Sequence, residues 1–134
     1  MSLPDKLLKM IYWACYKERY PDRAAFLEAV QEYQDQISPE NSEWAPNEVV
    51  LGVPRVWIGF HCWVGDEQPW LVFPIDAEGG AFTMGELFHK LCDGIGEALM
   101  EQNAELYDHH FFEGISRWQE GDDGAPLYAV RFGS

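Results

Sequence analysis

The sequence predicts an α+β fold with a mainly antiparallel sheet of about five strands and helices packed on one face of it. Strand-like segments come in runs joined by short turns, and they are not each followed by a helix of their own. Other segments carry apolar residues at helical spacing. A length of 134 residues is typical of one domain, so residues 1–134 are assigned to a single domain with the order ααβββαββ.

Two helices are predicted before the first strand. Ser2 followed by Pro4 is typical of a helix start, and apolar residues recur along one face as far as the break at Tyr20-Pro21. That apolar face consists of Leu7, Leu8, Ile11, Ala14 and Cys15. Asp22 is predicted to cap the second helix, Arg23 to Ile37, and the two helices would form a helical hairpin.

The middle of the chain is predicted to form strands. Val49 to Val53, Arg55 to Val64 and Trp70 to Ile75 are bounded by turn residues. In the second of these strands, apolar residues at alternate positions predict one buried face, which leaves Trp57 and Trp63 on the other.

The best-formed helix signal runs from Thr83 to Asn103. Thr83 and Glu86 have the T-x-x-E spacing of a capping box, and one face of the helix is apolar. A second face carries an acidic stripe that is predicted to face water and is interrupted only by Lys90. The stripe consists of Glu86, Asp93, Glu97 and Glu101. After this helix, His110 to Gln119 and Leu127 to Phe132 predict a terminal hairpin.

Charge and cysteine content restrict the class of partner. The chain has 23 acidic and 9 basic residues and a net charge of −14, which disfavours nucleic acid and anionic membranes and favours a basic protein. No apolar run is long enough to span a bilayer, and no signal peptide is expected. Three cysteines without a C-x-x-C motif are typical of free thiols, so a cytoplasmic protein is expected.

The sequence predicts no metal site, cofactor or catalytic residue. His109 and His110 are adjacent, so on a strand they would point to opposite faces, and no other spacing supports zinc binding. No G-x-S-x-G motif is present. A binding protein is therefore favoured over an enzyme.

The main functional hypothesis is a small acidic cytoplasmic protein that binds a basic protein. Its most specific form is a bacterial immunity protein that inhibits a basic toxin such as a nuclease, with carboxylates in the places of substrate phosphates. The predicted partner-binding residues are Glu86, Asp93, Glu97, Glu101, Trp57 and Trp63.

Two alternatives stay open. One is a small-molecule-binding module or small enzyme with its site between the central helix and the sheet, formed by Glu113, His110 and Asp108. Glu113 is expected on the same strand face as Phe111 and Ile115, paired with an arginine. The candidate arginines are Arg117, Arg55 and Arg131. The other alternative is a homodimer of structural role that associates through the aromatic face of the sheet.

Overall fold

The computed structural model describes residues 3–15 and 19–133, and it confirms the predicted α+β class. The described residues form two helices, a five-stranded sheet and a two-stranded sheet. The elements are β1 (Lys6–Leu7), α1 (Arg23–Ile37), β2 (Val49–Leu51), β3 (Arg55–His61), β4 (Trp70–Asp76), β5 (Phe82–Thr83), α2 (Met84–Gln102), β6 (Phe111–Glu120) and β7 (Pro126–Gly133). Neither of these helices is long and apolar enough to cross a membrane.

The larger sheet has the strand order β1-β6-β7-β3-β4. The predicted hairpin of β6 and β7 is confirmed, and β3 pairs with β4 in antiparallel register from Arg55–Asp76 to His61–Trp70. Among the described strands, the exception to antiparallel pairing is β3 beside β7, where Ile58 lies next to Tyr128 in a parallel register. β2 and β5 form the smaller sheet. The sequence does not predict β5, because its two residues come directly before the helix and show no alternation.

The predicted first helix, and with it the helical hairpin, is wrong. Leu7 pairs with Ile115 on β6, and Ala14 forms an isolated bridge with Phe111, so the segment runs beside β6 and is not helical. Leu8 and Met10 have φ of 57° and 54°, which a right-handed helix cannot contain. The predicted cap Ser2 lies outside the described residues.

Both remaining helices begin where the sequence predicts. Asp22 caps α1 by accepting a hydrogen bond of 2.8 Å from the Ala25 N–H. Thr83 caps α2 by accepting one of 3.1 Å from the Glu86 N–H. Both caps satisfy amide groups that have no partner inside the helix.

The core lies between α2 and the inner face of the larger sheet. Val56, Ile58 and Phe60 alternate along β3 and are each 0% exposed, as the spacing predicts. Gly94 of α2 allows the helix to approach this face, because a Cβ there would overlap the ring of Phe73 on β4.

β4 forms an open edge of the larger sheet. The Cys62 N–H donates a hydrogen bond to the Pro69 carbonyl, and the Ala77 N–H donates one to the Pro54 carbonyl. Hydrogen-bonded pairs alternate with non-bonded pairs along an antiparallel ladder, so these two bonds identify every bonded pair between β3 and β4. The pair Trp57–Pro74 falls between the bonded pairs, so the nitrogen of Pro74 faces away from β3. At the end of the strand, the Lys90 ammonium donates a hydrogen bond of 2.6 Å to the Asp76 carbonyl.

His89 links α2 to α1 and is expected to make stability depend on pH. Its ring lies 5.2 Å from that of Phe26, and burial lowers the pKa of His89 although Asp93, 3.9 Å away, opposes that shift. Below about pH 6.5 the unfolded chain takes up a proton that the folded chain resists, so the folded state loses stability as pH falls. The wild type should therefore lose more of its free energy of unfolding than His89→Gln between about pH 7 and about pH 5.

Urea unfolding of both proteins at a series of pH values measures this difference. All other titrating groups are shared, so they cancel in the comparison. Parallel curves for wild type and variant would show that His89 does not titrate differently in the folded state.

Candidate functional site

The six predicted partner-binding residues do not form one surface. Glu86 is 5% exposed, so the prediction that it faces water is wrong. Its carboxylate accepts hydrogen bonds of 2.9 Å from the Glu78 N–H and 2.8 Å from the Lys90 ammonium. The loop before β5 therefore covers the first turn of α2, and Glu86 fixes that loop.

The rest of the acidic stripe faces solvent and is partly neutralised. Asp93, Glu97 and Glu101 line a shallow groove between α2 and β4. The Arg19 guanidinium lies 3.4 Å from Asp93 and 4.0 Å from Glu97, so the unpaired charge of the stripe is smaller than the sequence suggests.

The outer face of the larger sheet, opposite α2, exposes tryptophan side chains. Trp70 on β4 is 37% exposed, Trp118 on β6 is 66% exposed, and their ring centroids lie 6.0 Å apart. The two indoles meet across the intervening strands because Gly59 leaves room under Trp70, where a Cβ would overlap the ring. Trp118 is the extra residue of a β-bulge, since Arg117 pairs with Tyr128 and Gln119 with Leu127.

We call this surface the tryptophan face and define it by Trp57, Trp70, Val72 and Trp118. Val72 is 40% exposed and lies beside Gly59 in the register of β3 and β4. Exposed apolar surface is the kind at which proteins bind partners, which makes the tryptophan face a candidate interaction site.

Carboxylates surround the Trp57 end of the tryptophan face. The Trp57 indole N–H donates a hydrogen bond of 2.8 Å to Asp123, and this bond is the main cause of the lowered pKa of Asp123. Arg55 binds Asp76 through two hydrogen bonds of 2.7 and 3.1 Å, which lower the pKa of Asp76, and lies 3.4 Å from Asp123. Both carboxyl groups therefore stay ionised to a lower pH than an ordinary aspartate does. In the part of the chain that the structure describes, Glu120 and Asp122 form no ion pair.

Trp63 lies apart from the tryptophan face. Its backbone exchanges two hydrogen bonds of 2.8 Å with Glu105, and its ring lies 6.2 Å from that of Tyr107. β3 ends at His61, so the predicted alternation does not extend to Trp63.

The residues of the predicted ligand site are also separated. Asp108 is exposed, with its carboxylate 3.7 Å from His109. The Nδ1 atom of His110 lies 2.6 Å from the Tyr107 carbonyl oxygen, and its ring lies 4.5 Å from that of Phe111. Glu113 lies further along β6, at the mouth of a cavity that neither Asp108 nor His110 lines.

The prediction that Glu113 shares a strand face with Ile115 is wrong. Phe112 pairs with Phe132 and Ile115 with Val130, so Glu113 and Gly114 together face one residue of β7 in a β-bulge. Gly114 has φ +99°, which suits glycine, and the bulge leaves Glu113 exposed while Ile115 is buried. Among the described residues, no arginine forms an ion pair with Glu113.

The cavity beside Glu113 has a volume of about 460 Å³ and a mainly apolar lining. It lies between the N-terminal segment, α1 and the start of β6, whereas the predicted place between α2 and the sheet is filled by core side chains. Its lining includes Met10, Tyr12, Tyr33, Ile37, Phe111 and Glu113. Sequence reasoning misses this cavity because it interprets the N-terminal segment as a helix.

Residues 3–15 and 19–133 contain no group of three or more His, Cys, Asp or Glu side chains placed to hold a metal ion. Cys15, Cys62 and Cys92 are free thiols, and burial raises the pKa of Cys62 and Cys92, which suppresses the nucleophilic thiolate.

Comparison of the chain with protein-family models, curated proteins and solved structures found no match.

Proposed function

We propose that this chain is a binding protein that recognises a basic protein through the tryptophan face. The observation that carries the proposal is the contact between Trp70 and Trp118, two exposed indoles held together on the outer face of the sheet. Tryptophan is enriched among the residues that dominate binding energy, because a large rigid ring buries much area at low entropic cost.

The charge of the chain supports a basic partner. At a net charge of −14, a second copy of the chain is repelled and a cationic protein is attracted. Glu120 ends β6 and Asp122 follows in the turn. Gly121 between them lies against the Trp57 ring, so both carboxylates can meet lysine or arginine side chains beside that ring. Negative charge at the binding surface raises the association rate with a positively charged partner and disfavours a negatively charged one.

In its most specific form, the proposal is that the chain is a bacterial immunity protein, which is a cytoplasmic inhibitor of a basic toxin such as a nuclease. A nuclease binds phosphates with a cationic surface, which carboxylates of an inhibitor can occupy. The indoles would then supply the apolar anchors.

The proposal is tested by capture on immobilised protein from extracts of the native host. The wild type is expected to retain a protein rich in lysine and arginine at low ionic strength. The double variant Trp70→Ala/Trp118→Ala should lose this protein, because each anchor contributes about 2 kcal/mol or more to binding.

The association rate measured with the purified partner should fall as salt rises from about 0.05 to about 0.5 M. For a captured nuclease, wild type but not the double variant should block DNA cleavage.

Met100→Ala is the matched control, because Met100 is 58% exposed but lies on α2, away from the tryptophan face. Circular dichroism and urea unfolding establish that each variant is folded. Equal retention by wild type and double variant would contradict the proposal. The proposal would also be contradicted if the wild type sedimented as a dimer and the double variant as a monomer, because the tryptophan face would then join two copies of the chain.

A further inference from the structure

We propose that the cavity beside Glu113 binds an amphiphilic organic cation, with its ammonium head at the Glu113 carboxylate and its apolar body among the aromatic side chains. This ligand class is separate from the protein partner of the tryptophan face. It follows from the form of the cavity wall, the nature of its lining and the charge at its mouth.

The wall of the cavity is held in place by hydrogen bonds. Gln34 of α1 is 1% exposed and binds both backbone groups of Tyr12, accepting from its N–H at 2.8 Å and donating to its carbonyl at 2.5 Å. The Glu43 N–H donates to the Met10 carbonyl at 3.0 Å, and the Phe112 N–H to the Trp13 carbonyl at 2.9 Å. The segment from Met10 to Trp13 is thus fixed on both sides, as in a binding site that exists before its ligand arrives.

The lining favours an apolar ligand body. Met10, Ile37 and Phe111 are 46%, 54% and 41% exposed, and all three converge on this cavity. A volume of about 460 Å³ lies within the range of small-molecule sites. A ligand that covers these side chains removes apolar surface from water, and this supplies the non-specific part of its affinity.

The charge at the mouth of the cavity selects a cation. Glu113 is the charged residue of the lining, and the bulge of β6 leaves its carboxylate unpaired among the described residues. The carboxylate lies against Gly133, where a Cβ would come within 2.5 Å of Oε2, so a larger residue there would displace it. Tyr12, Tyr33 and Phe111 line the same cavity, and the faces of aromatic rings attract cations and not anions.

Three probes with the same hydrocarbon chain and different heads test the proposal. Octylamine, octanol and octanoate are titrated below their aggregation concentrations into ¹⁵N-labelled protein, and amide shifts of Tyr12, Phe111 and Glu113 report binding. Octylamine is expected to bind most tightly and octanoate least. Glu113→Gln should weaken octylamine about tenfold and leave octanol unchanged, because a hydrogen bond to a charged group exceeds a neutral one by about that factor.

Glu28→Gln is the matched control, because it removes an exposed carboxylate from α1, which borders the cavity, without lining the cavity. Its affinity for octylamine should equal that of the wild type. Octanoate binding as tightly as octylamine, an unchanged octylamine affinity in Glu113→Gln, or no shifts with any probe would each overturn the proposal. None of these outcomes concerns the tryptophan face, so the protein-binding function is tested separately.

Discussion

Replacing Phe88 by alanine is expected to lower the free energy of unfolding by about 3–5 kcal/mol. Phe88 is 0% exposed, and its ring centroid lies 5.6, 5.8 and 4.9 Å from those of Phe26, Trp44 and Phe112. One side chain of α2 thus joins α1, the loop after it and β6. Alanine removes the buried ring and leaves a cavity between elements that cannot all close around it.

Urea unfolding followed by circular dichroism measures this loss. Phe88→Leu retains most of the buried volume and should fall between the wild type and Phe88→Ala. Met100→Ala, an exposed position on the same helix, should change stability by less than about 0.5 kcal/mol. A loss in Phe88→Ala as small as that control would show that the four aromatic rings do not pack as a unit.

The second large effect is expected at Gln34, where alanine should cost about 2–4 kcal/mol. The change removes the partners of the Tyr12 N–H and carbonyl, and also a hydrogen bond of 2.8 Å from the Ser42 hydroxyl. Backbone groups left without partners in a partly buried site lose part of the free energy of hydration without recovering it.

Gln31→Ala is the control for Gln34→Ala, because Gln31 lies on the same helix and its side chain bonds the exposed Asp35 at 3.1 Å. Gln34→Glu keeps an acceptor for the Tyr12 N–H but loses the donor to its carbonyl, so this variant should also be destabilised while its new carboxyl group is ionised. Unfolding free energies of the three variants provide the comparison. Equal values for Gln34→Ala and Gln31→Ala would mean that the Tyr12 segment is held by other contacts.

The two helices and the terminal hairpin are predictable because their signals are local. The Asp22 and Thr83 caps act on amides three residues away, and the alternation in β3 reports burial over a few residues. The prediction for the N-terminal segment is wrong because its apolar residues suit a helix as well as an irregular chain packed against β6. Its partners, Ile115 and Ser116, lie more than one hundred positions away in the chain, where a local pattern has no information about them.

The candidate sites are less predictable than the elements that carry them. The alternation in β3 places Trp57 on the outer face, but Trp118, whose ring centroid lies 6.0 Å from that of Trp70, is the extra residue of a bulge in β6. The sequence points to Glu113, yet the second bulge of the same strand decides what surrounds it. Glu86 has the spacing of a surface residue and is buried by a loop that sequence periodicity does not report. Bulges and loop placement depend on tertiary pairing, so sequence spacing does not reveal them.

The open edge of β4 bears on whether the chain can remain monomeric at high concentration. An exposed strand of seven residues invites another chain to pair with it, which is a common start of aggregation. Here Pro74 offers no donor at the centre of the edge, and Lys90 occupies the Asp76 carbonyl at its end. An added strand could form regular hydrogen bonds only near Trp70 and Val72, which is too short a stretch to hold a polymer together. The chain can therefore carry an exposed pair of indoles without the sheet itself nucleating fibres.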